Sequence, residues 1–309
     1  MTITDDEQQA LKNTGGLYQL DESNLALLLE SSPLMWEWSQ TACAGKASGG
    51  MEEWAKDGSD APPRNCAWYH GTWQLFRLLN MVAVPPWYEF YGEALGSILR
   101  GKPDANVLIS AAADYGMLCT LHESIGATDS QPRITICDIC ESPLMACQWY
   151  AQRNNLEINC LCDDLLATRK LESRSFDLIV TDELLTVLKA PSKPLIVERW
   201  RDLLKPGGVV VTTAMVGNAT TPDLRNGFAS RARRLLDTHA DRFHGAEADH
   251  DELVRRCEQF AAYHTRHMVT GEAEVRSLFS DFELMYSLIE TPGECVNPTS
   301  SFQIFARLL

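Results

Sequence analysis

Two short segments constrain the fold of this chain more than any other part of its sequence. Val107–Ser110 is an apolar run followed by three alanines, and helical spacing of apolar residues begins near Gly116. A second apolar run, Ile134–Asp138, ends in a carboxylate. Small side chains let the backbone approach a ligand, the following helix offers unpaired amides, and a strand-end acid can accept hydrogen bonds from ribose hydroxyls. These segments therefore predict an α/β fold that binds a nucleoside.

Short apolar runs and helical patterns alternate after residue 105, which is typical of a parallel sheet covered by helices. The final two runs form a pair, so we expect the last strand to return antiparallel. The sequence predicts an α/β fold with a doubly wound, mostly parallel, seven-stranded Rossmann-like sheet and an antiparallel last strand. We expect strands at 106–110, 134–138, 157–162, 176–181, 208–214, 282–289 and 302–306, and helices near 115–126, 142–153 and 192–204.

The N-terminal third of the chain differs from the rest in composition. Residues 1–104 hold six of the eight tryptophans, and their patterns are helical with breakers between them. We expect this helical region to cover the substrate, and residues 105–309 to form the nucleoside-binding domain. A charged helical insertion is expected at about 221–259. Its charged face is most simply solvated, and a homo-oligomer formed through it stays an open alternative.

Charge and hydropathy narrow the classes of partner. With 27 basic and 42 acidic residues the net charge is −15, so a nucleic-acid backbone would be repelled and a small-molecule substrate is expected. The start of the chain has no secretory pattern, and no apolar run reaches the roughly 18 residues of a membrane span. Ten cysteines scattered over apolar segments fit reduced thiols. We expect a soluble, cytoplasmic protein without a membrane partner.

Four motifs in order give the chain a family resemblance. They are Val107–Gly116, Ile134–Cys140, Cys162–Leu165 and Ser175–Thr181, and Lys205–Gly208 precedes the fifth strand. Together with the C-terminal strand pair, this order resembles the class I S-adenosylmethionine-dependent methyltransferases over about residues 105–309. The resemblance implies S-adenosyl-L-methionine as the cofactor and methyl transfer to a small molecule.

The Trp/Tyr-rich N-terminal region and the alanine-rich turn are also similar to a bacterial branch that includes the methionine S-methyltransferases. This similarity implies S-methylation of methionine to S-methylmethionine. A thioether acceptor has no proton to lose, whereas an oxygen or nitrogen acceptor usually needs a base beside it. An O- or N-methyltransferase of a small metabolite, an NAD(P)-dependent oxidoreductase and a non-catalytic scaffold of the same fold stay as alternatives.

One motif departs from the family's pattern. Where the family has a glycine-rich turn, this chain has Ile109–Gly116 with three alanines. Alanine disfavours positive φ, so we expect mostly ordinary backbone angles in this turn, with Gly116 as its one conformationally free residue.

The resemblance also assigns the cofactor-binding residues. Asp138, at the end of the second strand, is expected to accept hydrogen bonds from the ribose hydroxyls. Ser110 and Asp114 are candidates for the cofactor's amino-acid end, and Ile139 and Asp164 for its adenine. The full set of implied cofactor-binding residues is Ser110, Ala111, Ala112, Asp114, Asp138, Ile139, Asp164, Leu165 and Thr181.

Aromatic and acidic residues outside these motifs are candidates for the substrate pocket. Asp182 and Glu183 follow the fourth strand, where the family contacts substrate, although the helix dipole explains an acid pair at a helix start equally well. Aromatic residues at helical spacing are more often core than pocket wall. The proposed substrate-contacting residues are Trp36, Tyr69, His70, Trp73, Asp182 and Glu183. The catalytic residue is unknown, and the candidates are His70, Tyr69 and Asp182. Two arginines are available for a substrate carboxylate: Arg64 and Arg77.

The cysteines do not predict a metal site. Four of them, in Cys137–Cys140 and Cys160–Cys162, lie on or beside two strands, whose alternation sends neighbouring side chains to opposite faces. We therefore expect no bound metal.

Overall fold

The computed structural model describes residues 22–42, 66–79, 81–82, 89–217, 220–238, 249–290 and 300–309. Arg64, one of the two arginines predicted to be available for a substrate carboxylate, lies outside the described residues, as do residues 1–21. Among the described helices, none combines the length and the apolar character that a membrane span requires.

The sheet is built from seven strands: β1 (Asn106–Ser110), β2 (Arg133–Asp138), β3 (Ile158–Cys162), β4 (Phe176–Val180), β5 (Leu204–Val216), β6 (Phe282–Glu290) and β7 (Ser300–Leu308). Their order is β3-β2-β1-β4-β5-β7-β6. The first five strands pair in parallel, and β7 lies antiparallel between β5 and β6. The predicted mostly parallel sheet with an antiparallel last strand is confirmed.

The central strands are apolar because helices cover both faces of the sheet. Val107, Leu108 and Ile109 of β1 are fully buried, and every residue of β4 is buried as well. A parallel strand in this position has no solvent face, so its sequence is a continuous apolar run instead of an alternating one. Because β1, β2 and β4 are parallel, their carboxyl ends meet at one edge of the sheet.

Ten helices lie within the described residues: α1 (Glu22–Ala42), α2 (Ala67–Leu78), α3 (Glu89–Gly101), α4 (Gly116–Thr128), α5 (Glu141–Arg153), α6 (Leu184–Val187), α7 (Ser192–Leu203), α8 (Pro222–Thr238), α9 (His250–Tyr263) and α10 (Glu272–Leu278). α8 and α9 coincide with the predicted insertion. They pack with α2 around an apolar cluster that contains Phe76, Phe228 and Phe260. We call α2, α8 and α9 the helical cap. The N-terminal region and the insertion thus share a core, and the domain boundary at residue 104 stays a prediction.

β5 begins earlier than the sequence predicts. It starts at Leu204, directly after α7, so Lys205–Gly208 lies in the strand instead of before it. The pairing of β4 with β5 shifts register between Phe176 and Leu178, which leaves extra residues on β5. Gly207 has φ +75° in this irregular stretch, an angle that glycine adopts without a Cβ penalty.

Candidate functional site

The candidate site lies at the edge of the sheet where β1, β2 and β4 end. The turn after β1, Asp138 at the end of β2 and Asp182 just after β4 all lie at this edge. The helical cap reaches the same edge, because Nδ1 of His70 on α2 lies 3.2 Å from the carbonyl oxygen of Ala113 in the turn. Strand ends and cap therefore bring together residues that are far apart in the sequence.

The turn after β1 holds one alanine in the left-handed region. Ala111 has φ +67°, whereas Gly116 is the first residue of α4 and has no positive φ. The expectation of ordinary angles with Gly116 as the free residue was therefore wrong. The Ala111 amide donates to the Cys137 carbonyl at 2.9 Å. The Ala112 amide donates to Oδ2 of Asp138, also at 2.9 Å. These hydrogen bonds offset the roughly 1–2 kcal/mol cost of a left-handed alanine.

Asp138 is a buried acid held by two backbone amides. Its Oδ2 accepts from Ala112, and its Oδ1 accepts from the Cys140 amide at 2.6 Å. Burial raises the pKa of Asp138 to about 6, and the two amide hydrogen bonds oppose that rise. Each oxygen of an ionised carboxylate can accept a second hydrogen bond. Asp138 therefore keeps capacity for the ribose hydroxyls, and its assignment to the ribose stays a prediction.

The residues predicted to border the adenine differ in exposure. Ile139 is 41% exposed although it is apolar. Asp164 is exposed, and its Oδ1 accepts from the Leu166 amide at 2.9 Å, so its other oxygen is open. Leu165 instead packs in the core with Ile196 of α7. Because its side chain packs in the core, Leu165 could contact the cofactor only through its backbone.

Ser110 and Thr181 lie at strand ends, and both are buried. Oγ of Ser110 accepts a hydrogen bond from Nε1 of Trp200 at 2.9 Å, which ties β1 to α7. The Ser110 hydroxyl is therefore engaged within the protein. We expect Ser110 to contact the cofactor's amino-acid end through its backbone. Oγ1 of Thr181 is buried and has no hydrogen-bond partner among the described residues. A buried hydroxyl without a partner is costly, so Thr181 stays a candidate contact.

Asp114 and Arg77 form a buried ion pair that the sequence did not reveal. Nη1 of Arg77 donates to Oδ2 of Asp114 at 2.5 Å, and neither side chain is more than 4% exposed. Oδ1 of Asp114 accepts from the Gly116 amide at 2.7 Å. Arg77, predicted to be available to a substrate carboxylate, is therefore engaged inside the protein. The pair joins α2 to the turn after β1 across 37 positions, beyond the reach of any spacing rule.

The two adjacent candidates on α2 differ in chemistry. His70 is buried, and burial lowers its pKa to about 4, so its imidazole is neutral at pH 7. The Tyr69 ring stacks on Phe260, with centroids 5.5 Å apart. Burial raises the pKa of the Tyr69 phenol, and the charges of Asp138 and Asp182 raise it further. The Tyr69 hydroxyl therefore stays protonated, and neither residue is a strong base at neutral pH.

The two predicted tryptophans lie in different contacts. Trp36 of α1 packs against Gly71 of α2, and the Arg256 guanidinium lies 3.4 Å from its ring centroid. Trp36 thus takes part in the packing between α1, α2 and α9, and its predicted contact with substrate stays a prediction. Trp73 stacks on Tyr69 with centroids 5.3 Å apart and is partly buried against the helical cap. Trp73 therefore supports the Tyr69 ring.

Asp182 has one oxygen engaged and one oxygen open. Its Oδ1 accepts from the hydroxyls of Tyr91 at 2.8 Å and Thr213 at 2.7 Å. Its Oδ2 has no hydrogen-bond partner among the described residues. Burial and the neighbouring charge of Glu183 raise the pKa of Asp182 to about 7. The sequence analysis did not find Tyr91, because its role depends on α3 packing across the end of β4.

Glu183 has both carboxylate oxygens engaged. Oε2 accepts from the Met215 amide at 2.7 Å and from the Thr186 hydroxyl, and Oε1 accepts from the Ser301 hydroxyl at 3.0 Å. These bonds tie the end of β4 to β5 and β7. Glu183 therefore has a structural role, and its predicted contact with substrate stays a prediction.

Seven cysteines in the described part of the chain are free thiols. Cys66 is the exception, since it is disulfide-bonded. Ligand atoms of Cys66, His70 and Cys140 lie within 4.8 Å of one another. A disulfide sulfur does not act as a thiolate ligand, so these three residues do not form a three-ligand metal site in this state.

Comparison with known proteins identifies the domain. Residues 119–208, which run from α4 into β5 and contain Asp138 and Asp182, match the family described as a methyltransferase domain. This match covers the middle of the chain only, and membership of the class I S-adenosylmethionine-dependent family stays what the sequence resemblance implies. S-adenosyl-L-methionine stays the cofactor that the sequence resemblance implies. None of the curated proteins compared matches the sequence.

Several solved structures are similar to this chain. TehB from Haemophilus influenzae is 13% identical, with 76% of this chain and 66% of that chain covered and a TM-score of 0.46. The N-methyltransferase NodS from Bradyrhizobium japonicum, solved with S-adenosyl-L-homocysteine, is 16% identical, with 70% and 85% covered and a TM-score of 0.42. A methyltransferase from Methanosarcina mazei is 16% identical, with 67% and 94% covered and a TM-score of 0.46. At identities this low, neither substrate nor acceptor atom carries over.

Proposed function

We propose that the methyltransferase methylates a nitrogen or oxygen atom of a small molecule, with Asp182 as the general base. The observation that carries this proposal is the state of Asp182. Its Oδ2 accepts no hydrogen bond from the described residues, and its pKa is raised to about 7, so it can accept a proton near neutral pH. His70, with a pKa of about 4, is a much weaker base.

The cofactor would lie across the ends of β1 and β2. Asp138 has hydrogen-bonding capacity for two ribose hydroxyls, and Ile139 offers an exposed apolar surface that an adenine ring would cover. Asp114 lies in the turn after β1 and pairs with Arg77. Its carboxylate suits the cofactor's ammonium group. These residues fit S-adenosylmethionine, which when bound supplies an electrophilic methyl carbon.

Proton removal and methyl transfer would be arranged by the residues around Asp182. The acceptor's N–H or O–H would donate to Oδ2 of Asp182, which would take the proton. Bound S-adenosylmethionine would supply the methyl group, its S–CH3 bond would break as the bond to the acceptor forms, and S-adenosylhomocysteine would leave. Tyr91 and Thr213 hold the carboxylate through Oδ1. The stacked rings of Tyr69 and Trp73 would cover the acceptor from the cap side. Alignment in a dry pocket supplies most of the rate enhancement for such a displacement.

S-methylation of methionine is the second candidate, because Asp182 and the Tyr69 ring suit a cation. A sulfonium product is stabilised by aromatic faces and carboxylates, and an acid can also hold the ammonium of methionine. A thioether loses no proton, so this reaction has no need of a base. The two candidates therefore differ in how the rate depends on pH.

The test is a pH–rate profile measured with labelled S-adenosylmethionine and a panel of amines, phenols and methionine. If Asp182 is the base, kcat rises with pH through about 7 and levels off above it, because only the ionised carboxylate accepts the proton. We expect Asp182→Asn to lower kcat by about 10²- to 10⁴-fold and to remove this dependence.

Glu183→Gln is the matched control, because it changes the adjacent acid, which is engaged in hydrogen bonds within the protein. It should lower stability but keep the rise of kcat near pH 7. A kcat that is independent of pH, with methionine as the preferred acceptor, would favour S-methylation instead. An unchanged kcat in Asp182→Asn would contradict the assignment of the base.

A further inference from the structure

Two sulfur atoms and one imidazole meet where the helical cap joins the edge of the sheet. Cys66 lies at the start of α2, His70 lies in the first turn of that helix, and Cys140 lies between β2 and α5. One ligand atom of each residue lies within 4.8 Å of the ligand atoms of the other two. All three side chains are buried. We call these three residues the Cys–His cluster, and its donor atoms are of the kinds that zinc prefers.

The cluster differs from the cysteine pairs that the sequence analysis weighed. Those pairs lie on or beside β2 and β3, where strand alternation separates neighbouring side chains. Cys66 and His70 are four positions apart on a helix, so they share one face. Cys140 reaches them only because the cap packs on the end of β2, and tertiary packing of this kind leaves no spacing pattern in the sequence.

His70 has the tautomer that a metal ligand needs. Its Nδ1 lies 3.2 Å from the Ala113 carbonyl oxygen, and a carbonyl oxygen only accepts, so Nδ1 carries the proton and donates. The other ring nitrogen, Nε2, therefore has the lone pair. Burial lowers the pKa of His70 to about 4, so the imidazole is neutral at pH 7. Metal-binding histidines are commonly oriented by such a hydrogen bond to a backbone carbonyl.

The disulfide of Cys66 brings a further sulfur to the same place. Cys66 is disulfide-bonded, and the two sulfurs of a disulfide are joined directly, so a second cysteine sulfur lies beside the cluster. Reduction would release two thiols next to Cys140 and His70. Three cysteines and one histidine are a common ligand set of tetrahedral zinc. The reduced chain thus has four suitable donors where the oxidised chain has a disulfide.

We propose that the reduced protein binds one zinc ion at Cys66, His70, Cys140 and the cysteine released from the Cys66 disulfide. Zinc bonds of about 2.3 Å to sulfur and about 2.1 Å to nitrogen hold tetrahedral ligand atoms roughly 3.5–3.8 Å apart. The Cys–His cluster needs only a small contraction to reach this spacing. The inference does not depend on the reaction proposed for Asp182.

Zinc at this place would join the helical cap to the end of β2. The Cys140 amide donates to Oδ1 of Asp138 at 2.6 Å, so Cys140 is held beside the predicted ribose-binding acid. Cys66 and His70 belong to the cap side. A bound ion would therefore stabilise the cap against the sheet, because a ligand that binds only the folded state raises its stability.

Reduction and metal binding balance as two separate steps. A water-soluble phosphine cleaves the S–S bond and is oxidised to its phosphine oxide, while water supplies the oxygen atom and the two thiol protons. Zinc then forms three bonds to sulfur, and each thiol releases its proton to solvent. The neutral imidazole of His70 forms the fourth bond and loses no proton.

The test is a titration of the phosphine-reduced full chain with cobalt(II), which replaces zinc in tetrahedral sites and is visible by absorption. We expect one cobalt per chain, a sulfur-to-cobalt charge-transfer band and the strong visible bands of tetrahedral geometry. Added zinc should remove these bands. The chain with its disulfide intact should show none of them.

Cys140→Ser and His70→Gln each remove one ligand. Each should weaken zinc binding by more than the roughly 10- to 100-fold that loss of a hydrogen bond to a metal ligand costs. Cys137→Ser is the matched control, because Cys137 lies on β2 just before Cys140 but its thiol donates to the Asp163 carbonyl. It should bind zinc as the wild type does. Circular dichroism shows that each variant is folded.

Thermal unfolding gives a second readout that does not involve turnover. Zinc should raise the Tm of the reduced wild type and of Cys137→Ser, and a chelator should reverse the increase. Cys140→Ser should show little increase. Absence of the charge-transfer band in the reduced wild type, or equal zinc binding by the wild type and Cys140→Ser, would overturn the inference. Equal binding before and after reduction would also overturn it.

Discussion

Burial changes the pKa of single acidic residues at the ends of the strands. Asp138 and Asp182 are ordinary acids in the sequence, but burial raises their pKa values to about 6 and about 7. The position of Asp138 at a strand end was predictable from the sequence, because a strand and its final acid are local features. The engagement of Ser110 by Trp200 and of Glu183 by Met215 and Ser301 was not, since those partners are set by tertiary packing.

The raised pKa of Asp138 predicts how cofactor affinity depends on pH. Only the ionised carboxylate can accept hydrogen bonds from both ribose hydroxyls, so affinity for S-adenosylhomocysteine should increase as pH rises through about 6 and level off above it. Asp138→Asn should weaken binding by roughly 1–3 kcal/mol and remove this pH dependence. Calorimetric titration between pH 5 and 8 measures both effects.

Asp163→Asn is a suitable control, because Asp163 lies at the end of the neighbouring strand but is paired with Lys170. It should keep the pH dependence of the wild type. Unchanged affinity in Asp138→Asn would contradict the ribose assignment.

The helices fit together through a few close contacts, and α1 and α2 show this most clearly. Gly71 has no side chain where the two helices cross, and a Cβ at this position would overlap Oγ of Ser39 and lie 2.8 Å from Cε3 of Trp36. The helical pattern of α2 was readable from its spacing of apolar residues. Its crossing with α1 was not, because the sequence shows periodicity but not which faces meet.

Gly71→Ala tests this crossing. The new methyl group would push α1 and α2 apart, so we expect the free energy of unfolding to fall by about 1–3 kcal/mol. Gly92→Ala on α3 is the control, since nothing lies within 4 Å of a Cβ there and alanine should stabilise the helix by up to about 1 kcal/mol. Urea unfolding followed by circular dichroism compares the two. Equal stabilisation by both substitutions would contradict the described crossing.

At the scale of the whole molecule, the sheet could be predicted from the sequence, whereas the helical cap could be predicted only in part. The central strands β1 and β4 are buried and mostly apolar, which leaves a clear pattern in the sequence, and all seven strands lie near their predicted positions. The cap joins α2 to α8 and α9 across about 150 residues, and its apolar cluster arises only from that packing.

The central claim is that one nucleoside cofactor binds at the ends of β1 and β2. Calorimetric titration of the full chain with S-adenosylhomocysteine, and separately with a nicotinamide dinucleotide, tests it most directly. We predict one site per chain with micromolar affinity for S-adenosylhomocysteine and no measurable binding of the dinucleotide. Preference for the dinucleotide, or no binding of either ligand, would contradict the account.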